Sequence, residues 1–165
     1  MTRPRPTVPG PGQESVWDYP RPPRVEGSSA LVELELGGRT IASTTGALRV
    51  LETSHPPTYY LPRSAFQAGA LRAASGSSFC EWKGVAQYLD VVAEASERAR
   101  AAWYYPDPVP AYAGLTGYVA VYPAAMDRAL VDGEEVTPQP GGFYGGWITS
   151  SVTGPFKGAP GSSHW

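Results

Sequence analysis

Leu31 to Ser43 reads L-V-E-L-E-L-G-G-R-T-I-A-S. Apolar and acidic side chains alternate up to Leu36, the period-two pattern of a strand with one face toward a core. Gly37-Gly38 follows, a pair that takes positive φ without steric cost, and Arg39 to Ser43 returns. The stretch predicts a two-residue β-hairpin. Working outward, Ala47 to Glu52 (A-L-R-V-L-E), Thr58 to Leu61, Ser77 to Lys83, Gly84 to Val92 and Gly117 to Tyr122 (G-Y-V-A-V-Y) are further strands. In Gly84 to Val92, Val85, Gln87, Leu89 and Val91 share one face and Ala86, Tyr88, Asp90 and Val92 the other. Asp132-Gly133 reads as a turn. Two short helices are expected where composition changes: Ser64 capping Ala65 to Ala73, and Glu94 to Trp103 (E-A-S-E-R-A-R-A-A-W).

Composition agrees with a mainly β chain. The 19 glycines and 18 prolines make up more than a fifth of the 165 residues, more breakers than a helical bundle absorbs. Residues 1–12 (M-T-R-P-R-P-T-V-P-G-P-G) have almost nothing to bury and are expected to form a flexible arm, with residues 13–165 as one mainly antiparallel β domain. Trp17, Tyr19 and the prolines of D-Y-P-R-P-P-R are expected to pin the chain where order begins. A net charge of −2 gives no basic footprint for a phosphate backbone, so no nucleic-acid partner is expected. No apolar run approaches a membrane span, and the first residues lack the apolar stretch of a secretory signal; a soluble cytoplasmic protein without a membrane partner is the expectation. The single cysteine, Cys80, allows neither an internal disulfide nor a multi-thiolate zinc site, and no metal or other cofactor is expected.

The most chemical stretch is Thr53 to Arg63, T-S-H-P-P-T-Y-Y-L-P-R. Pro56, Pro57 and Pro62 fix φ and stiffen it, and stiffness holds polar groups in place before a ligand arrives. His55 can act as acid, base or ligand near neutral pH, with Glu52 three residues before it and Tyr59 and Tyr60 after it; its alternative is to tie the loop to a carbonyl. Arg49 faces away from Leu48 and Val50, and its planar fork suits an anionic ligand or an internal pair with Glu52. Cys80 is either a thiolate nucleophile served by the positive field of Lys83 or His55, or a small core residue. Lys83, before Gly84, reaches an anion or lies at the surface. Trp82, Tyr88, Trp103, Tyr144 and Trp147 are numerous enough to wall a pocket for a flat or cationic ligand, although most of such a set belongs to the core. The glycines around Phe143 to Trp147 would let backbone approach large rings closely.

Five runs together resemble a known family. They are E-S-V-W-D-Y-P-R-P-P (14–23), R-V-L-E-T-S-H-P-P-T-Y-Y-L-P (49–62), C-E-W-K-G-V-A-Q-Y (80–88), P-Q-P-G-G-F-Y-G-G-W-I-T (138–149) and G-P-F-K-G (154–158). The chain resembles family four-two-seven of the bacterial domains of unknown function over residues 14–165. The resemblance implies a small tent-like, partly open β barrel similar to the Mss-four and methionine sulfoxide reductase B group, with a pocket between two sheets. Relatives in that fold often hold zinc with four cysteines, which this chain lacks. The family has also been labelled a nucleotidyltransferase domain. That chemistry needs paired carboxylates for magnesium after a Gly-Ser turn, and Glu33 and Glu35 behind Gly27-Ser28 are the nearest match, though their separation is short and an edge hairpin often carries alternating glutamates as a solvated guard.

Three functions stay open on the sequence: an enzyme acting on a small polar or anionic metabolite, a non-catalytic module binding such a ligand, and nucleotidyl transfer as the family label suggests. Docking of R-P-R-P or R-P-P-R in aromatic grooves ranks after them. The site expectation is specific: Arg49, Glu52, His55, Tyr60, Cys80 and Lys83 converge on one pocket with Trp82 or Trp103 in its wall. Oligomeric state is not legible.

Overall fold

The computed structural model describes residues 3–165, so Met1 and Thr2 of the expected arm lie outside the described residues. Its strands, in chain order, are β1 (Glu14–Ser15), β2 (Arg24–Gly27), β3 (Val32–Leu36), β4 (Arg39–Thr44), β5 (Leu48–Leu51), β6 (Thr58–Pro62), β7 (Leu71–Cys80) and β8 (Gly84–Ala93). There follow β9 (Ser96–Tyr104), β10 (Tyr118–Val121), β11 (Arg128–Val131), β12 (Glu134–Glu135), β13 (Thr137–Pro138), β14 (Trp147–Ile148) and β15 (Val152–Thr153). The quoted hairpin is β3–β4: Leu36 pairs with Arg39, and Gly37 and Gly38 have φ of 65° and 78°, as a two-residue turn of this hand requires.

Seven strands form one antiparallel sheet in the order β2-β5-β6-β10-β9-β8-β7, and four form a second in the order β12-β11-β3-β4. No closed barrel results. The sheets share one apolar core. Val32, Leu34, Leu36 and Ile41 come from the smaller sheet; Tyr59, Leu61, Leu89, Val91, Val119 and Val121 come from one face of the larger. Because side chains alternate, Val50, Tyr60, Ala86 and Ala120 emerge on the other face of the large sheet, where Tyr112 and Leu115 cover part of them.

Neither expected α-helix forms. Among the described residues the helical pieces are 3-10 turns at Val16–Asp18, Arg63–Ala65, Pro110–Leu115 and Pro123–Ala125. Residues 71–73 of the first expected helix open β7, and most of the second is β9, which pairs with β8 from Ala93↔Ser96 to Gln87↔Tyr104. Alanine, glutamate and arginine gave that segment helical propensity but no apolar stripe, while Ala101 and Ala102 are buried on successive positions of a central strand. Pairing on both sides outweighs a propensity of a few tenths of a kcal/mol per residue. β7 lies at the edge of the large sheet and carries a bulge between Ala73 and Ser77.

Residues 3–10 have no regular structure, yet they touch the domain. Thr7 N–H donates to the Gly154 carbonyl at 2.8 Å, and the Arg3 guanidinium stands 4.7 Å from the Trp17 ring centre. Trp17, Val16, Tyr19, Leu51 and Val152 form a small cluster, which fastens the entry of the chain to its last strand. No helix among the described residues is long and apolar enough to cross a membrane.

Candidate functional site

Beside the Tyr112–Leu115 cover, the second face of the large sheet opens into a cavity of about 390 Å³. Its floor is sheet: Val50 on β5, Thr58 and Tyr60 on β6, Tyr88 on β8 and Trp103 on β9. The β7–β8 turn brings Cys80, Glu81, Trp82 and Lys83 to one side; Glu52, His55 and Pro56 stand on another; Gln139 and Phe143 to Gly145, with Lys157, close the remainder.

The proline-rich loop is tied down by backbone. His55 N–H donates to Glu52 O, Ser54 N–H to Val16 O, Lys157 N–H to Ser54 O and Trp147 N–H to Pro57 O, at 2.8–3.1 Å. Ser54 sits at φ 74°, and its fully buried hydroxyl has no partner among the described residues. Such strain persists only where surrounding structure imposes it. Gln139 fixes the histidine ring. Its Oε1 accepts from Gly146 N–H at 3.1 Å, so its amide nitrogen faces the Lys157 carbonyl at 2.8 Å and His55 Nδ1 at 3.1 Å. Nδ1 is therefore an acceptor, and the neutral ring carries its proton on Nε2. That nitrogen lies 3.7 Å from Glu52 Oε2. Burial, followed by the charges of Lys157, Arg21 and Lys83, holds the His55 pKa down at about 4. Near neutral pH His55 is thus an N–H donor. Of the acid, base or ligand parts expected of it, the structure leaves Nε2–H as a donor while Nδ1 is engaged by Gln139.

Lys83 is only 9% exposed, although a surface lysine was the simpler expectation. Its ammonium lies 3.3 Å from Cys80 Sγ and 5.7 Å from the Tyr105 ring centre, and it forms no ion pair among the described residues. Burial raises the pKa of the Tyr60 and Tyr105 hydroxyls well above their ordinary value, so both keep their protons. Trp103 stands between two tyrosines, 6.4 Å from Tyr60 edge to face and 4.5 Å from Tyr122. The double glycine at 145–146 belongs to this packing. A Cβ on Gly145 would overlap the Trp103 ring, and one on Gly146 would reach Gln139 Oε1 and Pro56.

Glu52, His55, Tyr60, Cys80, Trp82, Lys83, Tyr88, Trp103 and Tyr144 are thus gathered at one cavity. Arg49, Tyr59 and Trp147 are not, and the reason is alternation. Arg49 pairs in register with Glu26 and Tyr59, pointing away from the Val50–Tyr60 face. It bonds Glu14 Oε1 at 3.0 Å and also Glu26, in place of the expected Glu52. Burial opposes its charge, but these carboxylates win and raise its pKa. Glu52 instead meets Arg21 at 3.4 Å. Tyr59 stacks on Trp147 at 4.9 Å within the core between the sheets. Glu33 and Glu35 lie on β3 away from the cavity, and Glu35 is held by Arg128 at 2.8 Å. No group of three or more His, Cys, Asp or Glu side chains among the described residues is placed to hold a metal ion.

Sequence reasoning missed Gln139, Lys157, Tyr105, Tyr122 and Phe143. Gln139 had a signal, since P-Q-P stiffens it as the prolines stiffen His55, and Lys157 stood inside the quoted G-P-F-K-G. A family model described as a domain of unknown function, DUF427, and labelled NTP_transf_9 matches residues 24–132. No curated protein matches the chain.

Proposed function

The chain belongs to the DUF427 family, and on that premise we propose that it binds a small polar or anionic metabolite in the cavity between His55 and Lys83. The supporting observation is Lys83. A buried ammonium without a carboxylate is costly unless something else supplies negative charge, and a ligand in the adjoining cavity is the available source. His55, as a fixed Nε2–H donor, adds a directional contact, and the ring walls bury the remainder of the ligand. A binding module fits this arrangement better than general acid–base catalysis does, given the occupied Nδ1.

Native mass spectrometry of freshly purified protein tests this reading. The expected result is a retained small molecule that leaves on denaturation and is missing from Lys83→Met. Repeated preparations with an empty cavity, together with no binding across a broad panel of anionic metabolites, would overturn it.

One observation favours a catalytic reading: the Cys80 thiol touches the Lys83 ammonium, a neighbour that stabilises a thiolate nucleophile. It expects alkylation of Cys80 by iodoacetamide at least about tenfold faster than that of an unfolded control, and Lys83→Met should remove the advantage. The nucleotidyl transfer suggested by the family label has less support, since Glu35 serves Arg128 and the β3 glutamates stand away from the cavity.

A further inference from the structure

Taking the binding reading as its basis, we infer that the ligand class is a planar aromatic monocarboxylate, its carboxylate on Lys83 and its ring against Trp103. The groups nearest the buried end are donors. The Lys83 ammonium has three N–H groups, of which the contact with Cys80 Sγ occupies one, and the Tyr60 and Tyr105 hydroxyls, protonated and hydrogen-bonded to each other, leave one O–H to donate. An acceptor-only group is the complement of such a set, and an ionised carboxylate is the smallest common one.

The charge of the ligand follows from what else lines the space. Glu81 faces the same cavity and opposes a doubly charged group, while Glu52 beside it is engaged by Arg21. The usual equipment for phosphate is missing from the lining: it contains no arginine fork, and the longest helical piece in the described residues is the six-residue 3-10 turn Pro110–Leu115, too short to offer a helix N-terminus. Lys157, the other lysine of the lining, is only half-buried and its ammonium donates to the Trp165 carbonyl at 3.4 Å, so Lys83 is the buried cation left to match one negative charge.

Planarity follows from Trp103. Tyr60 meets it edge to face and Tyr122 lies tilted against it, while the absence of a side chain at Gly145 lets the 139–146 loop lie directly on the indole. A flat ring entering here gains offset or edge contacts that a puckered ring of the same size does not.

The test is an NMR titration of the full chain, following the indole N–H signals, with benzoate, benzamide, cyclohexanecarboxylate and phenyl phosphate. Benzoate should bind saturably, with the other three at least about tenfold weaker, a difference of about 1.4 kcal/mol. Lys83→Met should bring benzoate down to the level of benzamide. Equal binding of benzamide, or tighter binding of phenyl phosphate or cyclohexanecarboxylate, would overturn the ligand class and leave the binding reading standing. Failure of benzoate while native mass spectrometry shows another retained molecule would do the same; failure of both would remove the two readings together. The ligand series on the unaltered chain decides the matter even if Lys83→Met does not fold.

Discussion

The two faces of the seven-stranded sheet are built from the same strands and serve different ends. One face presents Leu61, Leu89, Val91, Val119 and Val121 to the smaller sheet and is dry. The other presents Tyr60, Tyr88 and Trp103 to a cavity. Each side of the sheet also holds a poorly exposed cation, and the contrast is instructive. Arg49, on the side of Tyr59, is matched by Glu14 and Glu26 and lowers the Glu14 pKa through its hydrogen bond. Lys83, on the cavity side, is matched by a thiol and a ring. On the proposed reading, the internally neutralised charge serves the fold and the other serves a ligand.

The comparison breaks most readily at Leu61, which is fully buried on the dry face. Leu61→Ala should cost about 2–5 kcal/mol in denaturant unfolding, as a cavity left in packed aliphatic surroundings does. A loss below about 1 kcal/mol would mean that this face is no better packed than the other.

Acid titration probes the cavity side. His55 is held at about 4, below its ordinary 6.5, so the unfolded chain binds the proton more readily than the folded one. Its stabilising contribution is full above about pH 6.5, falls as pH drops toward 4 and is gone below, a change of up to about 3 kcal/mol. His55→Gln should flatten the stability profile over that window. An unchanged profile would show that His55 titrates normally.

The cations sharpen the contrast further. Arg49→Met should destabilise by about 1–3 kcal/mol, because Glu14 and Glu26 lose their partner, whereas Lys83→Met should stay within about 1 kcal/mol or gain stability. Thermal unfolding of the two variants side by side measures this, and equal losses would erase the distinction. The smallest effect is expected outside both faces. Deleting residues 1–12 should lower Tm by no more than about 2–4 °C, the shift that goes with a loss of about 1 kcal/mol in a domain of this size. A larger drop would give the Thr7 and Arg3 contacts a share in holding the fold.

How much of this was legible varied with range along the chain. The β3–β4 hairpin was readable from alternation and Gly37-Gly38, because both signals are local. The 94–103 strand was not, since its stabilisation comes from β8 and β10 on either side. At the cavity, His55 and Lys83 declared themselves through proline flanks and a glycine bend. Arg49 and Tyr59 were misplaced by one residue of phase: the sequence shows that neighbours point oppositely, but not which side holds the cavity. Gln139 and Lys157 arrive from the far end of the chain, and a contact spanning 84 residues between Gln139 and His55 leaves no local trace.

The bulge in β7 has a consequence for how this molecule meets others of its kind. An edge strand of ten residues offers a row of free backbone groups, an invitation for a neighbouring chain to add a strand. The bulge between Ala73 and Ser77 interrupts that row, and Arg72, bridging Asp90 and Glu97 across the adjacent strands, sets charge close to it. The sheet thus ends on a broken template, and the irregularity that disturbs pairing with β8 also guards against runaway strand addition in a crowded solution.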